Sequence, residues 1–456
     1  MKSIAILGGG LAGLSAAVYL VEAGFQVRLF EARPVLGGRA YSVMDSKTGD
    51  VMDNGQHLMM GCYHHTFDFL KKIGRETPLQ TQVKMEVPLV ERGGKIHRLK
   101  ASDLPSPLHL VSALFSYSGF SLKEKFNLAL FLNKLRRSSV AELKALDSLS
   151  CAEWLKDLDR TILKNFLEPL ILATLNESPE KASAKLLATV FLEALLKGKE
   201  ESKMVTSTVG LSDLYTNAAQ KFIEDRGGKI FTRCGISSLS PWGRGQGEGP
   251  NQIEKLILDN GEEIIADFYL STLPANALWK ILPDALKQQA YFSKLDEVQY
   301  SAIYNINLWY EKPWFSEFFA GLLGSPIHWV FNKGRLLHAE DIPKTQYLSL
   351  TISAANFLKN LNSQELLALA LKELGDFFPQ SKNIKPVHHR ILKELQATPS
   401  FGPGSERLRP EATTPLHNFF LAGDWTSTGL PATIEGAVKS GKMAAIELKG
   451  LLNCVR

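Results

Sequence analysis

A chain of 456 residues, 45% hydrophobic and 22% charged, has the balance of a globular protein with room for roughly two or three domain-sized cores, which excludes a disordered chain. Its net charge of +5 comes without a dense Lys/Arg run, which excludes a nucleic-acid binder; most of the surplus reads as solubility charge, and it would also favour an anionic membrane surface. Cys62, Cys151, Cys234 and Cys454 stand far apart, with neither a C-x-x-C pair nor metal-ligand spacing, so a reduced, metal-free, cytoplasmic protein is expected, and no apolar stretch approaches the roughly 20 residues that span a bilayer.

The first thirty residues organise the rest. Ser3 to Leu7 reads as a short buried strand, Gly8-Gly9-Gly10-Leu11-Ala12-Gly13 as a G-x-G-x-x-G turn, and Leu14 to Ala23 as a helix closed by Gly24. A second strand, Gln26 to Phe30, ends on Glu31, 18 residues beyond Gly13. Gly8 allows the tight turn, Gly10 lets backbone approach a pyrophosphate, and Gly13 lets helix and strand close up, while the helix N-terminus offers free N–H groups. Glu31 can accept bonds from the two ribose hydroxyls, and together these features predict a dinucleotide site. Three glycines and Glu22 interrupt the apolar N-terminus and no cleavage site follows a basic segment, so it is not read as a secretory signal.

Arg33 to Ala40 follows as a turn in which Gly37-Gly38-Arg39 can run backbone and guanidinium beside a diphosphate, although a plain surface turn fits the same residues. Met52 to His57 is a polar cluster with Gly55 at a tight passage. Asp53 and His57 are the first plausible acid/base groups, and His57 alone also fits a structural histidine. Residues 83–100 alternate as a hairpin around Glu91 to Lys95. From Leu104 to about Lys199 the pattern is helical: Leu108 to Phe120 is apolar, Leu122 to Leu135 is amphipathic with Lys134, Arg136 and Arg137 at its end, and Ile162 to Leu175 is apolar again. Those helices fit either a packed core or a lid over a greasy pocket and a membrane-facing patch.

A helix from Gly210 to about Glu224 leads into a strand Lys229 to Cys234 and on to Leu239; Gly243 to Gly249 reads as a flexible hairpin tip before the strand Ile253 to Leu258. Glu262 to Leu270 completes what looks like the second half of the nucleotide domain. Tyr300 to Tyr310 and Tyr347 to Ile352 are strand-like and Ser363 to Phe378 helical, the sheet and helix of a second domain. Near the end, Phe419 to Ala422 is a buried strand, Gly423-Asp424-Trp425 follows at once, and Pro431 to Ala437 opens a helix to Leu448. Asp424 can bind a sugar or ribityl hydroxyl, and the N–H groups near Ala432 to Ile434 can face a ring carbonyl.

Taken together, the early G-x-G-x-x-G with Glu31, the Gly37-Gly38-Arg39 turn and the Gly423-Asp424 unit resemble the amine oxidase and carotenoid desaturase superfamily of FAD enzymes. Within it, Asp53 to His57, Ala422 to Thr426 and Gly429 to Glu435 look most like the squalene-associated FAD-dependent desaturases, the hydroxysqualene dehydroxylases. The resemblance implies an α/β fold: a Rossmann-like FAD-binding domain (GR2-type) of residues 1–82, 205–290 and 396–456, interleaved with an α+β substrate domain of 83–204 and 291–395 that carries an apolar helical part.

It further implies noncovalent FAD. Gly8, Gly10 and Gly13 would hold the pyrophosphate, Glu31 the adenosine ribose and Ile236 the adenine, with Leu11, Ala12, Ala32 and Arg33 also binding the cofactor. Gly38 and Arg39 would lie beside the diphosphate, and Gly55, Gln56 and His57 near the isoalloxazine. Gly423 and Asp424 would meet the ribitol or the diphosphate end, and Ala432, Thr433 and Ile434 the pyrimidine edge. The implied reaction is reductive loss of an allylic hydroxyl from a triterpene, with His57 or Asp53 as proton donor or relay. The apolar substrate, a separate electron donor and one-sided contact with the inner face of the cytoplasmic membrane are the expected partners, with neither metal nor nucleic acid. A carotenoid or phytoene-type desaturase, an amine oxidase and a non-catalytic FAD scaffold are the competing readings.

Overall fold

The computed structural model describes residues 1–242, 251–337 and 345–454. A five-stranded, all-parallel sheet is built from both ends and the middle of the chain, in the order Lys229–Thr232, Gln26–Glu31, Ser3–Leu7, Phe268–Ser271, Phe419–Leu421. Strands covered on both faces read as continuous apolar runs, and Ile4, Ala5, Ile6 and Leu7 are fully buried. The helix Leu11–Glu22 and the C-terminal helix Ile434–Cys454 cover one face together. They meet backbone to backbone: a Cβ on Gly441 would lie 2.2 Å from the Ala12 carbonyl oxygen, and Ser15 Oγ donates to the Val438 carbonyl at 2.8 Å.

Between the third and fourth segments of this sheet runs an antiparallel meander, Ile236–Trp242, Gln252–Leu258 and Glu263–Ile264. The two longer strands pair as a hairpin, and its expected glycine-rich tip, Gly243 to Gly249, lies outside the described residues.

A second sheet of seven strands has the order His388–Ser400, Gln299–Tyr310, Gln346–Ile352, Trp329–Asn332, Phe319–Leu322, Glu86–Val90, Ile96–Lys100. The helix Ser363–Phe377 packs on one of its faces through Leu366, Ala370 and Leu374. The strand His388–Ser400 crosses the expected 395/396 boundary, because its pairing with Gln299–Tyr310 continues as far as Ser400.

Over the other face lies the helical part, from Leu108–Ser116 and Leu122–Arg136 to Ala184–Val190. Three Ser-x-x-Glu capping boxes start successive helices, at Ser121/Glu124, Ser139/Glu142 and Ser150/Glu153, each satisfying two backbone donors. The first helix stops at Ser116 rather than Phe120, since Tyr117 leaves helical geometry, and the C-terminal helix starts at Ile434 and runs past Leu448 to Cys454. No described helix is long and apolar enough to cross a membrane.

Candidate active site

The two glycine turns are pressed against each other. Gly37 N–H donates to the Gly9 carbonyl at 2.8 Å, Gly10 bridges Gly37, and a Cβ on Gly38 would lie 3.1 Å from the Gly10 Cα. Gly13 fills the structural role its position predicts: a Cβ there would lie 2.1 Å from the Gly8 carbonyl oxygen, so only glycine lets this helix close on its strand. The helix begins at Gly10 with no side-chain cap and no acid in its first turn, leaving its positive end turned to the cavity that Gly10, Leu11 and Ala12 line.

Glu31 closes the turn from below, its carboxylate accepting from Gly9 N–H at 2.8 Å and Arg33 N–H at 2.9 Å. Both Glu31 and Arg33 line the cavity; Ala32 and Ile236 do not. The strand of Ile236 nevertheless leaves from beside the acid, since Cys234 N–H donates to the Glu31 carbonyl at 2.9 Å.

The chain ends meet at Arg39, whose guanidinium donates to Asp424 Oδ1 at 2.6 Å and to the Ala397 carbonyl at 2.9 Å. Burial opposes its charge, but Asp424 outweighs burial and holds its pKa above the ordinary value. Asp424 stands in the loop 423–433, which Arg409 clamps from behind. That buried guanidinium donates to the carbonyls of Thr426 and Leu430 at 2.8 Å each and to Thr428 Oγ1 at 3.1 Å.

The following helix carries Glu435, which accepts from His65 N–H at 2.9 Å, Thr66 N–H at 2.8 Å and Thr66 Oγ1 at 2.7 Å, tying this end of the chain to the segment after His57. Ala432, Thr433 and Ile434 line the cavity, as do Gly423 and Asp424.

At the Asp53 to His57 cluster the expected residues separate. Gly55, Gln56 and His57 line the cavity, whereas Asp53 does not. Asp53 is buried in an ion pair with Lys333 Nζ at 2.7 Å, and it also accepts from Ser42 Oγ at 2.7 Å and Leu211 N–H at 3.0 Å. His57 Nε2 and Gln56 Oε1 are sealed from solvent and have no partner among the described residues. Burial holds the His57 imidazole below its ordinary pKa against the pull of Asp53, with Lys333 adding to the depression, so the ring is neutral near pH 7. The Asn54 backbone works with Asp53, favouring the charged ring, but burial outweighs both.

Sequence reasoning missed Lys333, Arg409, Glu435 and Asn305. Each acts across more than a hundred residues of chain or sits in a segment without a motif.

One cavity of about 950 Å³ joins the glycine turns, Arg39, Asp424, His57, Asn305 and the 431–435 segment. It runs from the glycine turns and Arg39 past His57 and Asn305 into an apolar chamber walled by Leu89, Phe166, Leu170, Leu195, Trp329 and Phe331. A backbone cradle in which a Cβ on Gly9, Gly13 or Gly37 would clash, an uncapped helix end, and unpartnered polar atoms among the described residues fit a flavin dinucleotide. Among the described residues no cluster of three or more His, Cys, Asp or Glu could hold a metal.

Comparison with known proteins agrees. The chain is 29% identical to a hydroxysqualene dehydroxylase of Rhodopseudomonas palustris over 97% of both, and 26% identical to a zeta-carotene desaturase of Synechocystis over 97% of this chain and 96% of that one. Among solved structures it shares its fold with an oxidoreductase from Methanosarcina mazei, with a TM-score of 0.74, 19% identity and coverage of 98% and 100%. The cyclohexylamine oxidase of Brevibacterium oxydans follows, with a TM-score of 0.72, 17% identity and coverage of 99% of both chains. The family model for flavin containing amine oxidoreductases matches residues 11–448. The chain belongs to that family and is a flavin-dependent oxidoreductase.

Proposed function

We propose that this protein is an FAD-dependent hydroxysqualene dehydroxylase, removing an allylic hydroxyl from hydroxysqualene to give squalene in bacterial squalene and hopanoid synthesis. The observation that carries the reading is the single cavity in which a nucleotide cradle opens directly into an apolar chamber, with polar atoms gathered at the junction. The likeness to curated dehydroxylases over nearly the whole chain supports it.

FAD, held noncovalently, supplies the hydride when reduced. In the net change one C–O bond breaks, one C–H bond forms, and the hydroxyl leaves as water after gaining a proton. The chain excludes bulk water from the electron-poor carbon with Leu89, Phe166, Leu170 and Phe331. It relays the proton through His57 Nε2, where burial makes any acquired proton readily given up. Asp53, locked to Lys333, acts from behind as the charge that favours proton uptake on His57.

A separate donor protein reduces the flavin in this reading. The membrane partner is an anionic bilayer on the cytoplasmic side. Leu108, Val111 and Phe115 on one helix and Leu122, Phe126 and Leu130 on the next are exposed at helical spacing, and Lys134 and Arg136 close the second helix.

The test is anaerobic incubation of purified protein with reduced FAD and hydroxysqualene. Squalene, identified by mass spectrometry, should form only when protein and reduced flavin are both present. The likeness to a zeta-carotene desaturase favours a second reading, oxidative desaturation of a carotenoid, and flavin-replete protein that makes no squalene would transfer support to it.

A further inference from the structure

The strand register sets out a row of side chains across the seven-stranded sheet. Asn305 lies opposite Thr351, Thr351 opposite Trp329, Trp329 opposite Gly321, and Gly321 opposite Leu89. Residues directly opposite in neighbouring strands project from the same face, and Asn305, Thr351, Trp329 and Leu89 all line the cavity. Gly321 makes the room: a Cβ there would lie 2.7 Å from Leu89 Cδ2 and 3.2 Å from the Trp329 ring. The row therefore forms one stripe of the cavity wall, polar at the Asn305 end and apolar at the Leu89 end.

The polar end is oriented and unfilled by protein. Thr351 Oγ1 donates to Asn305 Oδ1 at 3.1 Å, which fixes the amide of a side chain 1% exposed, and no described residue takes a hydrogen bond from Asn305 Nδ2. That Nδ2 lies 3.4 Å, and His57 Nε2 3.9 Å, from the point where a Cβ on Gly55 would stand. His57 Nε2, Gln56 Oε1 and Trp329 Nε1 are buried without partners among the described residues. Two N–H donors and two acceptors thus belong to residues that line this one cavity. Leaving such groups unpaired in a greasy site is costly, and a substrate oxygen that pairs them is strongly selected.

We propose that Asn305, positioned by Thr351, is the residue that recognises the substrate hydroxyl, with Trp329 Nε1 as a second donor and His57 Nε2 accepting a hydrogen bond from the hydroxyl before it relays the proton with which the oxygen leaves. The inference rests on the dehydroxylase reading and deepens it. The site binds the alcohol by its oxygen and places the departing group beside His57, and once the oxygen has left as water the hydrocarbon product loses these bonds. A hydrocarbon polyene, which carries no oxygen, would find the same groups unmatched.

The experiment compares the binding of hydroxysqualene and squalene to the flavin-loaded protein in detergent, read by perturbation of the flavin absorbance. The wild type should bind the alcohol at least about tenfold more tightly than the hydrocarbon. Asn305→Leu should bring the two affinities together while leaving squalene binding and flavin content unchanged. Thr351→Val should lose part of the preference, Thr351→Ser should keep it, and Trp329→Phe should lower it without abolishing flavin binding. Retention of the full preference in Asn305→Leu and Thr351→Val, in proteins that still hold flavin, overturns the proposal while leaving the dehydroxylase reading intact. A wild type that neither prefers the alcohol nor converts it overturns both.

Discussion

Breaking the Asp53–Lys333 pair should cost more than any surface ion pair in this protein, and the structure says how much. The two side chains are 4% and 3% exposed and 2.7 Å apart. Removing one partner of a buried pair leaves an uncompensated charge worth about 3–5 kcal/mol. Lys333→Met leaves Asp53 two of its three contacts, Ser42 Oγ and Leu211 N–H, which places it near the lower end, about 3 kcal/mol. Asp53→Asn leaves the ammonium with only a neutral partner and belongs near the upper end, about 5 kcal/mol. With an unfolding entropy of roughly 2 cal/mol/K per residue, a chain of 456 residues loses about 1 °C of Tm per kcal/mol, so the single variants should melt about 3 °C and about 5 °C lower. The double variant buries no charge and should lie above the sum of the singles by about 2 kcal/mol or more. Scanning calorimetry on all four proteins closes the cycle. Lys333→Met should also raise the pKa of His57, because the cation that opposes its protonation is gone, and the alkaline limb of the pH–rate profile, where the proton donor is lost, should move upward with it. Singles that melt within 1 °C of wild type, or strict additivity, would refute the reasoning.

Three further outcomes follow from the same geometry. His328 is pulled down to about 4 by burial while its Nδ1 accepts from Ser353 N–H at 2.9 Å; its folded pKa is below its unfolded one, so stability is intact above about pH 6.5 and falls by roughly 3 kcal/mol as pH drops to about 4. His328→Gln should flatten that part of a urea-midpoint against pH curve, and an unchanged slope would contradict the assignment. Glu435→Ala removes three hydrogen bonds that cap the helix His64–Lys72 and should cost about 2–3 kcal/mol, with faster flavin loss in a dilution assay. Gly13→Ala should yield protein without flavin, because its Cβ would stand 2.1 Å from a carbonyl oxygen, whereas Gly24→Ala, with nothing within 4 Å, should keep flavin and lose only about 1 kcal/mol to its positive φ; equal flavin content in both would argue against the cradle.

The nucleotide half of the site was legible because its chemistry is local. A glycine turn, an acid at the end of the next strand and a late Gly-Asp unit each declare themselves within a few residues, and Gly8, Gly10, Glu31, Arg39 and Asp424 all line the cavity. The limits of that reading are equally physical. Asp53 looks like a catalytic acid next to His57, yet its neutralising partner is 280 residues away, and no spacing rule points to Lys333. Arg409 is one more arginine in a loop until the carbonyls of Thr426 and Leu430 are seen around it. Asn305 sits in a strand whose alternation says only that it is buried, and its meaning comes from the register with Thr351 and Trp329. The apolar helices could be read as core or as pocket wall because they are both: Leu187 and Phe191 are fully buried, while Val190 and Ala194 on the same helical segment line the chamber.

The direction of electron flow is the central claim, and flavin absorbance reports it directly. Anaerobic protein carrying reduced FAD is mixed with hydroxysqualene, and protein carrying oxidised FAD is mixed with phytoene, while the oxidised flavin band is followed in both. The band should return in the first mixture, in step with squalene formation, and stay constant in the second. A band that bleaches with phytoene and does not return with hydroxysqualene would contradict the claim.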